Sequence, residues 1–327
     1  MFLNSTKIIL TNSMMIGVIM TICSNNWISM WMGLEMSLLS FIPIMQNTKN
    51  INSSESMMTY FIVQSVASMI FMFSVIVMLI GVNMMNEMLL MLSMLIKLGV
   101  APFHNWVMMI IEALNYITLF NMLTLLKVPP LFIISQTNTK YLTVPIIMSM
   151  MIGSILCINQ CSLRKIIGFS SIFNISLMLV LISTNLNLTY YFLMIYSSMM
   201  LMLIMTTKNL KTSFISQLSM MDFNIWLKLN MWMNMLSIMG FPPFMGFTIK
   251  LMLIQSMIMN NQMILMSTML ITSMLTMTFY TRLAFTSMLC YFSTKKWNKM
   301  LKNKSMYFLI LLNFTLTPMT MTMTTVF

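Results

Sequence analysis

Apolar residues run through this chain in long blocks, and the polar segments between them are mostly short. The blocks predict eleven helices, at about 8–23, 26–45, 57–80, 87–110, 115–134, 141–158, 166–183, 189–207, 229–258, 262–291 and 306–325. A bilayer core takes roughly 20 apolar residues per helix, so these stretches use up most of the chain. The polar connectors that stand out are 46–55, 206–228 and the lysine-rich 295–304. The pattern therefore predicts an all-α polytopic membrane protein, one membrane domain over 1–327, with no room for a separate soluble domain.

Two of the stretches are interrupted. The fourth contains Gly99 and Pro102, and the ninth contains Gly240, Pro242, Pro243 and Gly246. The fifth carries Pro129 and Pro130, which predict another break. Five helices separate the fourth from the ninth, an odd number, so equivalent elements would run in opposite directions. Paired discontinuous helices in that relation are the mark of an inverted repeat with its site near the midplane. The expected division is a first five-helix repeat over 1–138, a second, inverted one over 139–293, and a basic loop with a last helix over 294–327. A broken helix leaves unpaired backbone groups and dipole ends inside the protein, which attract ions or water. The plainer reading is a pair of proline kinks with no transport role.

Composition strengthens the membrane assignment. Hydrophobic residues make up 59% of the 327 and charged ones 7%, with a mean hydropathy of +0.90. So few charges could not cover the surface of a soluble domain. The net charge of +12 does not point to nucleic acid, because the basic residues are scattered over loop ends and gather on no aromatic-lined face. They follow the positive-inside rule instead. Lys7, Lys49, Arg164, Lys165, Lys208, Lys211, Lys228, Lys295, Lys296, Lys299, Lys302 and Lys304 fall on one side of the predicted topology, against Lys140 on the other. The N-terminus is expected on the positive, matrix-like side and the C-terminus opposite. Arg282, late in the tenth stretch, can snorkel toward the positive side.

The 51 methionines are spread through every apolar stretch, with Ile, Asn and Ser abundant and only 8 Gly. A binding surface would localise them; an AT-rich mitochondrial genome that reads ATA as Met accounts for the spread. The absence of an Arg- and Ser-rich amphipathic segment before Ile8 agrees with synthesis inside the organelle. Cys157 and Cys161 lie four apart, yet the four cysteines form no C-x-x-C pair, so apolar packing is favoured over a metal site or disulfide. There is no P-loop, no dinucleotide fingerprint, no haem attachment motif and no cysteine cluster for iron–sulfur. No metal and no cofactor are expected in this chain, so energy for pumping must come from a gradient or from partner subunits.

Three lysines, Lys97, Lys127 and Lys250, lie inside apolar stretches beside Pro/Gly breaks. An ionisable group at the bilayer centre costs roughly 2.5–3.5 kcal/mol, so the default reading is an ion or proton path. Glu35, mid-helix in the second stretch, is the plausible counter-charge for Lys97. The pair either switches the protonation of Lys97 as it opens and closes or holds two helices together. His104, two residues after Pro102, suits a proton relay and equally suits a cap on the helix break.

The stretches MGLEMSLLSFIPIM (32–45), IKLGVAPFHNW (96–106), KVPPL (127–131), QCSLRKIIGFSSI (160–172) and MGFPPFMGFTIK (239–250) carry a resemblance over the whole chain. In that order they resemble the mitochondrially encoded subunit 2 family of NADH:ubiquinone oxidoreductase, respiratory complex I, in an insect or related invertebrate. The resemblance implies an antiporter-like fold in the inner mitochondrial membrane, bound among other membrane-arm subunits and lipids. It implies proton translocation coupled to NADH oxidation and ubiquinone reduction, with FMN, iron–sulfur clusters and ubiquinone held by partner subunits. Glu35 and Lys97 would match the family's glutamate–lysine pair, Lys127 the lysine between half-channels, and Lys250 the lysine of the second broken helix. Two positions depart from the family. Asn174 stands where a histidine is usual after FSSI, so it can orient water but not carry a proton. Met108 replaces a proline, which predicts a straighter exit from the fourth helix. The alternatives are a stand-alone antiporter of the same architecture and a purely structural membrane subunit.

Overall fold

The computed structural model describes residues 5–46, 51–81, 84–137, 139–220, 225–242 and 244–289, with positions 315, 318 and 322 beyond them. Those three positions are helical. The rest of the predicted eleventh helix lies outside the described residues, as do Lys49, Pro243, Cys290 and the lysines of 295–304. Among the described residues the regular structure is helical, as an apolar bilayer requires of a backbone that must satisfy its own hydrogen bonds. Seven helices among the described residues are long and apolar enough to cross a membrane. The other predicted stretches are the two discontinuous helices, a 16-residue sixth helix and the last one.

The chain divides into two compact units, Met1–Ser149 and Met150–Phe327. The first holds α1 (Ser5–Cys23), α2 (Trp27–Met45), α3 (Ile51–Ile80), α4 (Met84–Leu98), α5 (Asn105–Ala113), α6 (Tyr116–Leu123) and α7 (Val128–Ser135), and ends inside α8 (Thr143–Ile158). α1 and α2 pack backbone to backbone through Gly17 and Gly33, where an added Cβ would stand 2.8 Å from Ser37 N and from Gly17 O respectively. In lipid, where apolar burial gives helices no net attraction, such close van der Waals approach is what joins them. α3 packs on α2, α4 and α5, and its amphipathicity is inverted relative to a soluble helix. Ser53, Ser56, Tyr60, Gln64, Ser68 and Ser74 are buried, while Phe61, Ile62, Val66, Met69, Phe73 and Ile76 face outward.

The second unit contains α9 (Leu163–Thr184), α10 (Leu186–Leu210), α11 (Ile215–Met220), α12 (Ile225–Met239), α13 (Met245–Met259) and α14 (Met263–Leu289). α9 is the central helix, with 94% of its apolar window buried, and α10 and α13 pack against it. An isolated bridge between Ser162 and Phe214, with Leu163 N donating to Ser213 O (2.9 Å) and Ile215 N to Cys161 O (3.1 Å), ties two turns together. Arg164, Lys165, Lys208 and Lys211 thus share one end of this unit, as charge placement predicts. Lys228 does not follow that expectation. It lies within α12 rather than in a loop and is buried at 4% exposure, because the helix starts at Ile225 and draws it in. Arg282 is exposed late in α14.

Candidate functional site

Both predicted breaks close with the same backbone motif. α4 ends at Leu98, Gly99 takes φ +70, Gly99 N donates to Ile96 O (3.1 Å), and Val100 N reaches Leu95 O (3.2 Å). α12 ends at Met239, Gly240 takes φ +77, Gly240 N donates to Ser237 O (3.1 Å), and Phe241 N reaches Leu236 O (3.2 Å). These are Schellman closures, which need a left-handed residue after the helix and therefore favour glycine. The next turn repeats as well: Phe103 N to Val100 O and Phe244 N to Phe241 O are both 2.8 Å.

A third interruption lies in the predicted fifth helix, and its position differs from the expected one. The break precedes Pro129 and Pro130 rather than centring on them. α6 ends at Leu123, a 3₁₀ turn covers Leu125–Lys127, and α7 begins at Val128 with its prolines in the first turn. A first-turn proline has no intrahelical partner to lose, so the interruption falls upstream at Thr124, whose hydroxyl bonds Phe120 O at 2.7 Å. Met108 lies inside regular α5, as its replacement of proline predicts.

These interruptions bring two of the three lysines together. Lys97 (8% exposed) ends α4, and Lys127 (7% exposed) stands at the N-terminus of α7. Both line one cavity of about 30 Å³, with Ser37, Tyr60, Gln64 and Trp106 as its other polar walls. That volume is enough to admit water. The α4 dipole favours a cation at Lys97, whereas the α7 dipole opposes one at Lys127. Glu35 projects from α2 with its Oε1 buried and without a hydrogen-bond partner among the described residues. Its chain neighbours Leu34, Ser37 and Leu38 line the same cavity.

Lys250 is built differently. Its Nζ donates to Met239 O at 2.6 Å and lies 5.8 Å from the centre of the Phe173 ring. It therefore caps the open carbonyl end of α12, where the helix dipole favours a cation. Asn174, next to Phe173, is buried at 7% exposure. His104 stands at the N-cap position of α5 with no side-chain cap bond, and its Nδ1 lies 3.3 Å from Pro102 O. It is not among the residues that line the lysine cavity. Tyr60 and Gln64 are the participants that sequence reasoning missed; their signal was an i, i+4 polar pair on one face of an apolar helix. Among the described residues no three His, Cys, Asp or Glu side chains gather as they would around a metal ion.

The profile of the NADH:quinone oxidoreductase/Mrp antiporter transmembrane family matches residues 24–276, which include all three breaks and all three lysines. The chain belongs to this family. It is 37% identical over 218 residues to the NADH-ubiquinone oxidoreductase chain 2 of Anopheles gambiae, a match of 63% of this chain and 64% of the relative. The chain thus spans just under two thirds of the length of that relative. A chain in a structure of respiratory complex I from Thermus thermophilus shares the fold, with a TM-score of 0.85 at 16% identity over 96% of this chain and 78% of that one. So does a chain of the Mrp complex from Dietzia sp. DQ12-45-1b, at 0.74 and 17% identity over 89% and 60%.

Proposed function

We propose that this chain is an antiporter-like membrane subunit of NADH:ubiquinone oxidoreductase that carries protons across the inner mitochondrial membrane as NADH is oxidised and ubiquinone reduced. The observation that carries this reading is the shared cavity of Lys97 and Lys127, two buried amines at helix ends with room between them for water. Membrane helices keep such groups where charge must move. Glu35, carried by α2 beside the cavity-lining Leu34, Ser37 and Leu38, is the switching partner of that lysine, and Lys127 passes the proton onward. Lys250 serves the second, inverted repeat at the equivalent break, and Asn174 orients water there. The FMN, iron–sulfur clusters and ubiquinone reside in partner subunits of the membrane and peripheral arms, and the N-terminus faces the matrix.

The test is made in the assembled enzyme reconstituted in vesicles. Lys97→Ala and Lys127→Ala should each lower proton translocation with NADH while the chain still co-migrates with the large NADH-oxidising assembly. Unchanged pumping per electron in both variants sinks the proton-path reading, and migration of the wild-type chain apart from any such assembly favours a stand-alone antiporter.

A further inference from the structure

The charge of Glu35 and the amine of Lys97 need a route between them, because Glu35 is not among the residues lining the cavity that Lys97 shares with Lys127. Tyr60 supplies one. It lines that cavity, it is buried at 4% exposure, and α2 brings Leu34, Ser37 and Leu38, the chain neighbours of Glu35, to the same cavity. Its ring is locked from two sides, by Phe41 edge-on at 5.3 Å and by Trp106 at 6.1 Å. One helical turn further on, Gln64 Nε2 donates to Lys97 O at 3.4 Å, so the same face of α3 holds the end of α4 in place. The titratable groups around Tyr60 are Glu35 from α2, Lys97 from α4 and Lys127 from the turn before α7. A hydroxyl both donates and accepts, which a fixed link between an ammonium and a carboxylate requires.

We propose that Tyr60 is a further residue of the proton path, relaying protons between Lys97 and Glu35, and that Gln64 is its positioning partner. This rests on the reading of Lys97 given above. In the transfer, the Lys97 ammonium gives a proton to the Tyr60 oxygen as the Tyr60 hydroxyl proton passes to the Glu35 carboxylate. The products are a neutral amine, a carboxylic acid and an unchanged tyrosine. No free tyrosinate forms, and water in the cavity can complete the chain where the side chains do not touch. The locked ring keeps the hydroxyl in place, and the bond from Gln64 keeps the Lys97 backbone from drifting off the cavity.

The experiment compares Tyr60→Phe and Tyr60→His in the assembled enzyme with Lys97→Ala. Tyr60→Phe keeps both ring contacts and removes only the hydroxyl. It should lower proton-coupled NADH:ubiquinone turnover about ten-fold, less than the roughly 100-fold low end for one acid–base group, because water in the cavity still carries part of the transfer. Tyr60→His restores a group that can pass a proton, and should recover part of that turnover with its pH profile displaced from the wild type. Wild-type turnover and pH profile in Tyr60→Phe, with Lys97→Ala impaired, overturns the relay and leaves the lysine path standing. Equal losses in Phe and His variants with an undisplaced pH profile also overturn it, since they mark a packing role. If Lys97→Ala itself is unimpaired, the reading beneath the relay has failed instead.

Discussion

The two helix breaks have the same backbone and different chemistry. At each, a glycine at positive φ closes the first half-helix with the same pair of hydrogen bonds. At the first, the lysine belongs to the helix that ends: Lys97 lies two residues before Gly99 and opens onto a cavity with a second amine. At the second, the lysine belongs to the helix that begins: Lys250 lies in α13 and folds back to bond the last carbonyl of α12. Duplicated backbone geometry therefore does not impose duplicated chemistry. One break holds its lysine beside water-sized space, and the other tethers it.

The largest expected difference lies between the lysines themselves. Lys97→Ala should lower proton-coupled turnover about 100-fold, the scale of one acid–base group. Lys250→Met should lower it by less and act mainly on stability, since removing a charged hydrogen-bond partner costs about 1.5–3 kcal/mol. Coupled assays of both variants in vesicles, with thermal melts in detergent, decide the matter. Equal catalytic losses would erase the contrast between an open and a tethered site.

The glycines sharpen the comparison further. A Cβ on Gly99 would collide with the Val107 side chain and crowd the Trp106 ring, in the packed start of α5. Strain at positive φ plus overpacking should make Gly99→Ala cost about 2–4 kcal/mol, visible as a lower yield of assembled enzyme. A Cβ on Gly240 would instead meet Lys250 Cδ at 2.9 Å and Cε at 3.0 Å, the middle of a flexible side chain. Gly240→Ala should therefore cost only about 1–2 kcal/mol, mostly for its positive φ, while pushing Lys250 off Met239 O; Lys250→Ala should remove the second part and leave the first. A double-mutant cycle with no coupling between the two positions would refute that link.

The smallest expected effect is that of Gln64→Leu, which removes one long hydrogen bond to the end of α4. It should cost about 0.5–1.5 kcal/mol, read as a modest drop in melting temperature. A comparable loss from an outward-facing apolar change such as Met69→Leu would mean that α3 is not specialised on its inner face.

The membrane class, the positions of the helices and the first and second breaks were legible in the residues themselves. Long apolar blocks have one stable form in lipid, and Gly followed by Pro stops a helix wherever it stands. Lys97, Lys127 and Lys250 announced themselves by the cost of a charge in such blocks. Sequence alone places the third break too far along, because Pro129 and Pro130 sit comfortably in a first turn and shift the disruption to Thr124. Lys228 looks like a loop residue in sequence, since a lone lysine beside a polar stretch has the same appearance whether a helix has begun or not.

What the chain by itself determined was an α-helical membrane protein with paired discontinuities and amines buried at them. Those follow from composition and from local backbone rules, which need no neighbours. Only the tertiary structure decided that Lys97 and Lys127 share a cavity, that Lys250 is bound to its own broken helix, and that Tyr60 and Gln64 face inward. Which helix face meets which neighbour depends on contacts between segments far apart in the chain, and methionine-rich faces that look alike in sequence leave that choice to packing.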